Sequence, residues 1–158
     1  MRLTLLTLAL LFTCIFTSTA QEYTYKQDPF DSEKINIYDE YNRKVGHMKT
    51  DPFDPSKTNI YDANGRLVET RKQNAFDDKR TDRSDAQGRS KGSSRQNTFK
   101  EDRVDLHDKY GNKTGWHEAD PFDSSKRNVY NARGQKVGYY NKNAFSGDWE
   151  YHDLTRGF

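Results

Sequence analysis

The chain has 158 residues, enough for one modest domain, and its Lys+Arg count of 26 nearly balances 24 Asp+Glu, for a formal charge of +2. That balance gives no broad field for nucleic acid or an anionic membrane. With 32% charged and only 32% apolar residues the composition borders on disorder, unless its 13% aromatics recur at fixed places.

Met1-Arg2 carries one positive charge and precedes an apolar run from Leu3 to Phe16, and Ser18-Thr19-Ala20 supplies small residues where a signal peptidase reads. Residues 1–20 are therefore expected to be a cleaved signal peptide, leaving a domain at 21–158 that is periplasmic or secreted, with no transmembrane span. Cys14 lacks the surroundings of an acylated lipoprotein cysteine. Its loss with the leader would leave no thiol for a disulfide or a metal.

Beyond the leader one pattern recurs. Asp28-Pro29-Phe30, Asp51-Pro52-Phe53, Asn74-Ala75-Phe76, Asn97-Thr98-Phe99, Asp120-Pro121-Phe122 and Asn143-Ala144-Phe145 follow one another at steps of 23 residues. Asn36-Ile37-Tyr38-Asp39, Asn59-Ile60-Tyr61-Asp62, Asp105-Leu106-His107-Asp108 and Asn128-Val129-Tyr130-Asn131 recur downstream. The turn signature follows, as in Asp62-Ala63-Asn64-Gly65 and Asp108-Lys109-Tyr110-Gly111, with Asn42 in the glycine place of the first unit. This predicts a three-residue hairpin loop whose last residue is left-handed. Counting back from that loop pairs Asp62 with Arg66 and Ile60 with Val68, and likewise Ile37 with Val45, Leu106 with Thr114 and Val129 with Val137.

The fold class is thus all-β: six 23-residue β-hairpin repeats starting at 28, 51, 74, 97, 120 and 143. The last unit stops after 16 residues at Phe158, and the seven residues 21–27 complete it. Both termini are expected to form the sixth hairpin and close a ring or shallow barrel, since closure removes exposed strand edges. Tyr151-His152-Asp153 is one residue out of step with its counterparts. The six Phe residues are expected to be the shared core, worth roughly 1.5 to 3 kcal/mol each when buried. The same counting sets Arg83 against Lys91 in the third unit, with Gly92-Ser93-Ser94 on its return strand. That unit is therefore expected to be the weakest petal and partly disordered.

Asp-Pro-Phe-Asp, then Asn-Ile-Tyr-Asp-x-x-Gly and Val-Gly, resembles the bacterial β-flower proteins, in which hairpin petals surround a shallow barrel. The resemblance covers residues 21–158, and it implies an apolar central cavity of the kind associated with lipid. Tyr61-Asp62-x-x-Gly65-Arg66-Leu67 is locally similar to YD repeats, which reads as a shared turn solution. No phosphate loop or nucleophile motif is present, and His47, His107, His117 and His152 lack metal spacing. Neither cofactor nor metal is expected, and the Asp residues beside Pro-Phe read as turn caps.

What remains is a set of aromatics on the strands. Tyr38, Tyr61, His107, Trp116, Tyr130, Tyr139 and Tyr140 are the candidate ligand surface, joined by Tyr23, Tyr25 and His117. Strand neighbours alternate faces, so one subset fills the barrel and the other lines its outside or mouth. The function expected is an exported, non-enzymatic binding or structural module for an apolar or lipid-like ligand or a protein partner. The alternative is an exported enzyme or inhibitor, which a cluster of His and carboxylates at one mouth would favour.

Overall fold

The computed structural model describes residues 22–155, so the expected signal peptide at 1–20 lies outside the described residues. Twelve strands follow in order: β1 (Tyr23–Gln27), β2 (Lys34–Asp39), β3 (Lys44–Asp51), β4 (Asp54–Asp62), β5 (Leu67–Gln73) and β6 (Arg80–Asp85). The second half holds β7 (Ser90–Gln96), β8 (Arg103–His107), β9 (Lys113–Ala119), β10 (Lys126–Asn131), β11 (Lys136–Lys142) and β12 (Trp149–Asp153). Each pairs antiparallel with its sequence neighbours, and β1 pairs with β12 to close the barrel.

Closure follows the expected arithmetic: Tyr23, Thr24 and Tyr25 lie opposite Tyr151, Glu150 and Trp149. Among the described residues no strand edge is left to template another chain.

The hairpin loops explain why these strands turn where they do. Asp62 N–H donates to the Arg66 carbonyl at 2.9 Å, and Gly65 N–H to the Asp62 carbonyl at 3.1 Å. Asp62 Oδ1 accepts from the Asn64 and Arg66 amides, both at 2.9 Å. Gly65 sits at φ +76°, and Asn42 holds the same left-handed place at +57°.

The register departs from expectation one step further on. A bulge follows each of these loops, so Ile60 faces Glu69 rather than Val68, and Val68 stays exposed. Ile37, Leu106 and Val129 likewise face Gly46, Gly115 and Gly138 rather than Val45, Thr114 and Val137. An extra residue on one strand shifts its later side chains to the other face. Crowding favours glycine at three of these places, where a Cβ on Gly46, Gly92 or Gly115 would overlap the carbonyl oxygen of Tyr61, His107 or Tyr130 on the next strand, whereas the second hairpin accommodates Glu69 at the equivalent position. The expected clash of Arg83 with Lys91 therefore does not occur. Arg83 faces Gly92, and Lys91 Nζ pairs with Glu69 Oε2 at 2.7 Å. The third unit forms β6 and β7, paired on both sides like the others rather than disordered.

The expected phenylalanine core is overturned. All six Phe rings, from Phe30 to Phe145, are between 94% and 101% exposed, and among the described residues no apolar residue is buried. The reason is the turn that carries them. The Asp or Asn two residues earlier accepts the Phe amide, at 3.0 Å for Asp28 and 2.9 Å for Asn74, which fixes a tight cap with the ring outside it. The same residue ties its loop to the following strand. Asn36 Nδ2 donates to Asp28 at 3.0 Å, Asn59 to Asp51 at 3.1 Å and Asn128 to Asp120 at 2.8 Å. In the third and fourth hairpins the pair is reversed, with Asn74 donating to Asp82 at 2.6 Å and Asn97 to Asp105 at 2.7 Å. Asn36, Asn59 and Asn128 are buried on the outer wall, opposite His47, Lys49 and Tyr139, so these polar pairs are covered by neighbouring side chains and not by an apolar core.

Candidate functional site

Directly opposite residues share a face, which sorts the barrel wall into two surfaces. Inside stands a ring from the return strands: Tyr25, Met48, Arg71, Ser94, His117 and Tyr140. Ile37, Ile60, Arg83, Leu106, Val129 and Tyr151 face into the next layer, and Ile35, Thr58, Thr81, Val104, Arg127 and Trp149 form the third. Ten of these residues, Tyr25, Ile35, Ile37, Met48, Ile60 and Trp149 among them, line a cavity of about 390 Å³. That is the size range of small-molecule sites. A second space of about 410 Å³ shares His117 and Arg127 with it and reaches Lys79 and Glu101, in the loops that carry Phe76 and Phe99.

The cavity wall holds two guanidinium groups, Arg71 and Arg127, and no carboxylate. Arg71 Nε is bonded to Glu69 at 2.8 Å, a carboxylate shared with Lys91. Arg127 has no carboxylate partner among the described residues: its Nη2 donates to the Asp102 carbonyl at 2.7 Å and its Nε to His117 Nδ1 at 3.3 Å. Burial, reinforced by the Arg127 charge, pulls His117 down to about 4, so it stays neutral and can accept that bond. Tyr25 is pushed up to about 12, chiefly by burial, and Tyr140 is raised for the same reason. Both phenols therefore remain neutral donors beside the two arginines. Arg83, opposite Arg71, reaches over Gly92 to the His107 carbonyl at 3.4 Å, and its buried Nε has no partner.

The seven expected site residues do not form one surface. Tyr140 alone points inward. Tyr38, Tyr61, His107, Trp116, Tyr130 and Tyr139 lie on the outer wall, where their ring faces are mostly covered by neighbours. Tyr61 stacks on His47 at 4.8 Å, Tyr130 on Trp116 at 5.1 Å and Tyr139 on His152 at 4.7 Å between ring centroids. Lys26 caps Tyr38 at 5.1 Å, Arg103 caps Trp116 at 4.2 Å and Lys126 caps Tyr139 at 4.2 Å. Cation–π contacts and stacks of this kind stabilise a wall. Sequence reasoning missed Ile35, Met48, Arg71, Arg127 and Trp149. The 23-residue step makes 25, 48, 71, 94, 117 and 140 equivalent and so ties Met48 and Arg71 to Tyr25 and Tyr140, but it does not say that they face inward.

A histidine with carboxylates does occur at the seam of the two ends. His152 Nδ1 lies 3.3 Å from Glu22 Oε1 and its Nε2 lies 3.9 Å from Glu150 Oε2. The group is on the outer wall, stacked on Tyr139, and among the described residues no hydrogen bond joins the ring to a Ser, Thr or Tyr hydroxyl that it could activate. Nor, among the described residues, is any group of three or more His, Cys, Asp or Glu side chains arranged to hold a metal ion.

No protein-family model matches the chain, and no curated protein does. The crystal structure of a protein from Arabidopsis thaliana is similar in fold, with a TM-score of 0.62 over 85% of this chain and 80% of that one, at 10% sequence identity. Likeness at that identity carries architecture alone.

Proposed function

We propose that this chain is an exported, non-enzymatic binding module, six 23-residue hairpin units of the β-flower kind, whose lumen holds an amphiphile with an apolar tail and an anionic head. The observation that carries this reading is the cavity wall: apolar on Tyr25, Ile35, Ile37, Met48, Ile60 and Trp149, and cationic at Arg71, which is paired to Glu69, and at Arg127, which has no carboxylate partner among the described residues. A wall-facing guanidinium without a carboxylate partner is costly unless an anion or water satisfies it. The open lumen also argues against a purely structural scaffold, in which side chains would fill the centre of the barrel. In this reading residues 1–20 direct the chain out of the cytoplasm, and binding takes place in the periplasm or outside the cell.

Native mass spectrometry with lipid extraction, on protein recovered from its own compartment, tests the reading. The expected result is a bound amphiphile carrying one carboxylate or phosphate, released when Ile60→Trp fills the lumen. Protein that carries no ligand and takes none up from a lipid extract would contradict it.

A further inference from the structure

Large apolar side chains exposed together mark contact sites. The six Phe residues each sit in the connection from one hairpin to the next, so in an up-and-down barrel they all stand on one rim. The opposite rim carries the Asp-x-x-Gly turns. The exposure is built in rather than frayed, since every Phe amide is held by the preceding Asp or Asn side chain at 2.9 or 3.0 Å.

We infer that this rim docks the protein onto a zwitterionic lipid bilayer, with the six rings inserted among the headgroups. Two observations favour lipid over a protein partner. Twelve strands about 4.8 Å apart, tilted as closure requires, give a circumference of at least about 58 Å, so the rings stand about 10 Å or more from one another. Rings so separated make a poor centre for a protein interface, which packs contiguously, whereas fluid lipid fills the gaps. Equivalent positions around a closed ring also meet a flat surface together.

Charge selects the lipid. Four rim carboxylates are paired to cations on adjoining strands, Asp28 to Lys34 at 3.3 Å, Asp31 to Lys49 at 2.7 Å, Asp54 to Lys72 at 2.7 Å and Asp77 to Arg95 at 3.0 Å, and Glu33, Asp120 and Asp123 add further negative charge. The rim therefore offers no surplus of cations to an anionic membrane. The outer wall, with Lys49, Lys72, Asp82 and Arg95 among its residues, is too charged to enter hydrocarbon, so contact ends at the rim and the barrel lies on the bilayer without spanning it. A second copy set rim to rim would oppose identical ion pairs and isolated rings. The inference does not depend on the lumen being loaded, although the space reaching Lys79 and Glu101 opens on this side.

The test uses the full chain carrying Phe53→Trp, with Tyr110→Trp on the opposite rim as control, and phosphatidylcholine vesicles bearing a nitroxide near the headgroup. The emission that Phe53→Trp adds over the parent's own Trp116 and Trp149 is expected to be quenched, and the emission that Tyr110→Trp adds is expected to be unchanged. Because the signal is specific to position, an apolar leader that also touches the vesicle cannot imitate it. Phe99→Ser and Phe122→Ser should each weaken partitioning about tenfold, the loss of roughly 1.5 kcal/mol of ring burial, with unchanged far-UV circular dichroism. An unquenched Phe53→Trp at saturating lipid overturns the inference, as does equal weakening by Tyr41→Ser. So does a dimer in sedimentation that Phe99→Ser dissolves without any quenching, which would make the rim an interface between copies.

Discussion

Two arcs of the barrel share a backbone and differ in almost everything it presents inward. The arc of β2 to β4 offers Ile35, Ile37, Met48 and Ile60, while that of β6 and β7 offers Thr81, Arg83 and Ser94. Yet the loops match: Asp62 N–H meets the Arg66 carbonyl and Asp85 N–H the Arg89 carbonyl, both at 2.9 Å. The amide–carboxylate pair also survives, as Asn59 to Asp51 in one arc and Asn74 to Asp82 in the other. The lesson is that turn, bulge and polar pair set the architecture locally in the five hairpins from β2–β3 to β10–β11, while the sixth is closed by pairing of the two ends. The lining is then free to vary, so an apolar arc and a cationic patch can coexist in one wall.

The comparison would break most visibly at the bulge. Gly46→Ala in the apolar arc and Gly92→Ala in the polar arc should each cost about 2 to 3 kcal/mol in urea melts, because a Cβ there meets backbone that cannot yield cheaply. Gly92, at φ +123°, should be the worse of the two. A cost in only one arc would mean that the bulge is not a shared frame.

Exchanging the polar pair gives a smaller and sharper effect. Asn74→Asp alone sets two carboxylates face to face and should cost about 1 to 2 kcal/mol, and adding Asp82→Asn should recover most of it. A double variant no better than the single would show that the orientation in each arc is separately required.

Acid should act in two stages, the second of them common to both arcs. His117, which borders both spaces, is held at about 4 against an ordinary 6.5. Its neutral form is favoured by folding, so its contribution is present above pH 6.5 and is lost as pH falls toward 4. Asp54 in the apolar arc is held at about 2, below the ordinary 3.8, by Lys72 and Ser56. Asp105 beside the polar arc also lies at about 2, where bonds from Lys113, Asn97 and Arg103 together outweigh its burial. The contribution of both carboxylates is lost lower, between about pH 4 and 2. The melting temperature should therefore fall in two stages, and His117→Gln, which keeps an acceptor for Arg127, should shrink the first and spare the second, leaving in the first only the part due to His47, which burial also lowers. A parent protein flat from pH 6.5 to 4 would contradict this.

The smallest effect is expected where the sequence promised the largest. Phe53→Ala and Phe76→Ala should each change stability by no more than about 0.5 kcal/mol, as surface substitutions do. A loss of about 3 to 5 kcal/mol at Phe53 would restore the buried ring that the sequence suggested.

Much of the architecture was legible because it is repeated. The turn could be read from Asp62 and Gly65, and barrel closure from the 16 residues between Asn143 and Phe158 joined to those at 21–27. The residue that was out of step near Tyr151 reflects a shorter last loop, where Asn143 N–H donates to the Asp148 carbonyl and Gly147 turns at φ +74°. Sidedness was not legible. A 23-residue step says which positions are equivalent but not which way they face, and the bulge after each loop reverses the faces beyond it. Val68 therefore gave way to Glu69, and adjacent Tyr139 and Tyr140 fell on opposite walls. Phe was assigned to the core by its hydrophobicity, although its place beside a turn-capping Asp or Asn argued for a loop tip.

If the lumen is an amphiphile site as proposed, Trp149, which lines it, reports on binding most directly. Titration with decanoate and with decanol, followed by tryptophan emission, should give saturable changes for both. Decanoate should bind about tenfold tighter through the charged hydrogen bond at Arg127, and Arg127→Gln should abolish that preference while sparing decanol. No saturable response to either ligand, or a response that persists unchanged in Ile60→Trp, would contradict the claim.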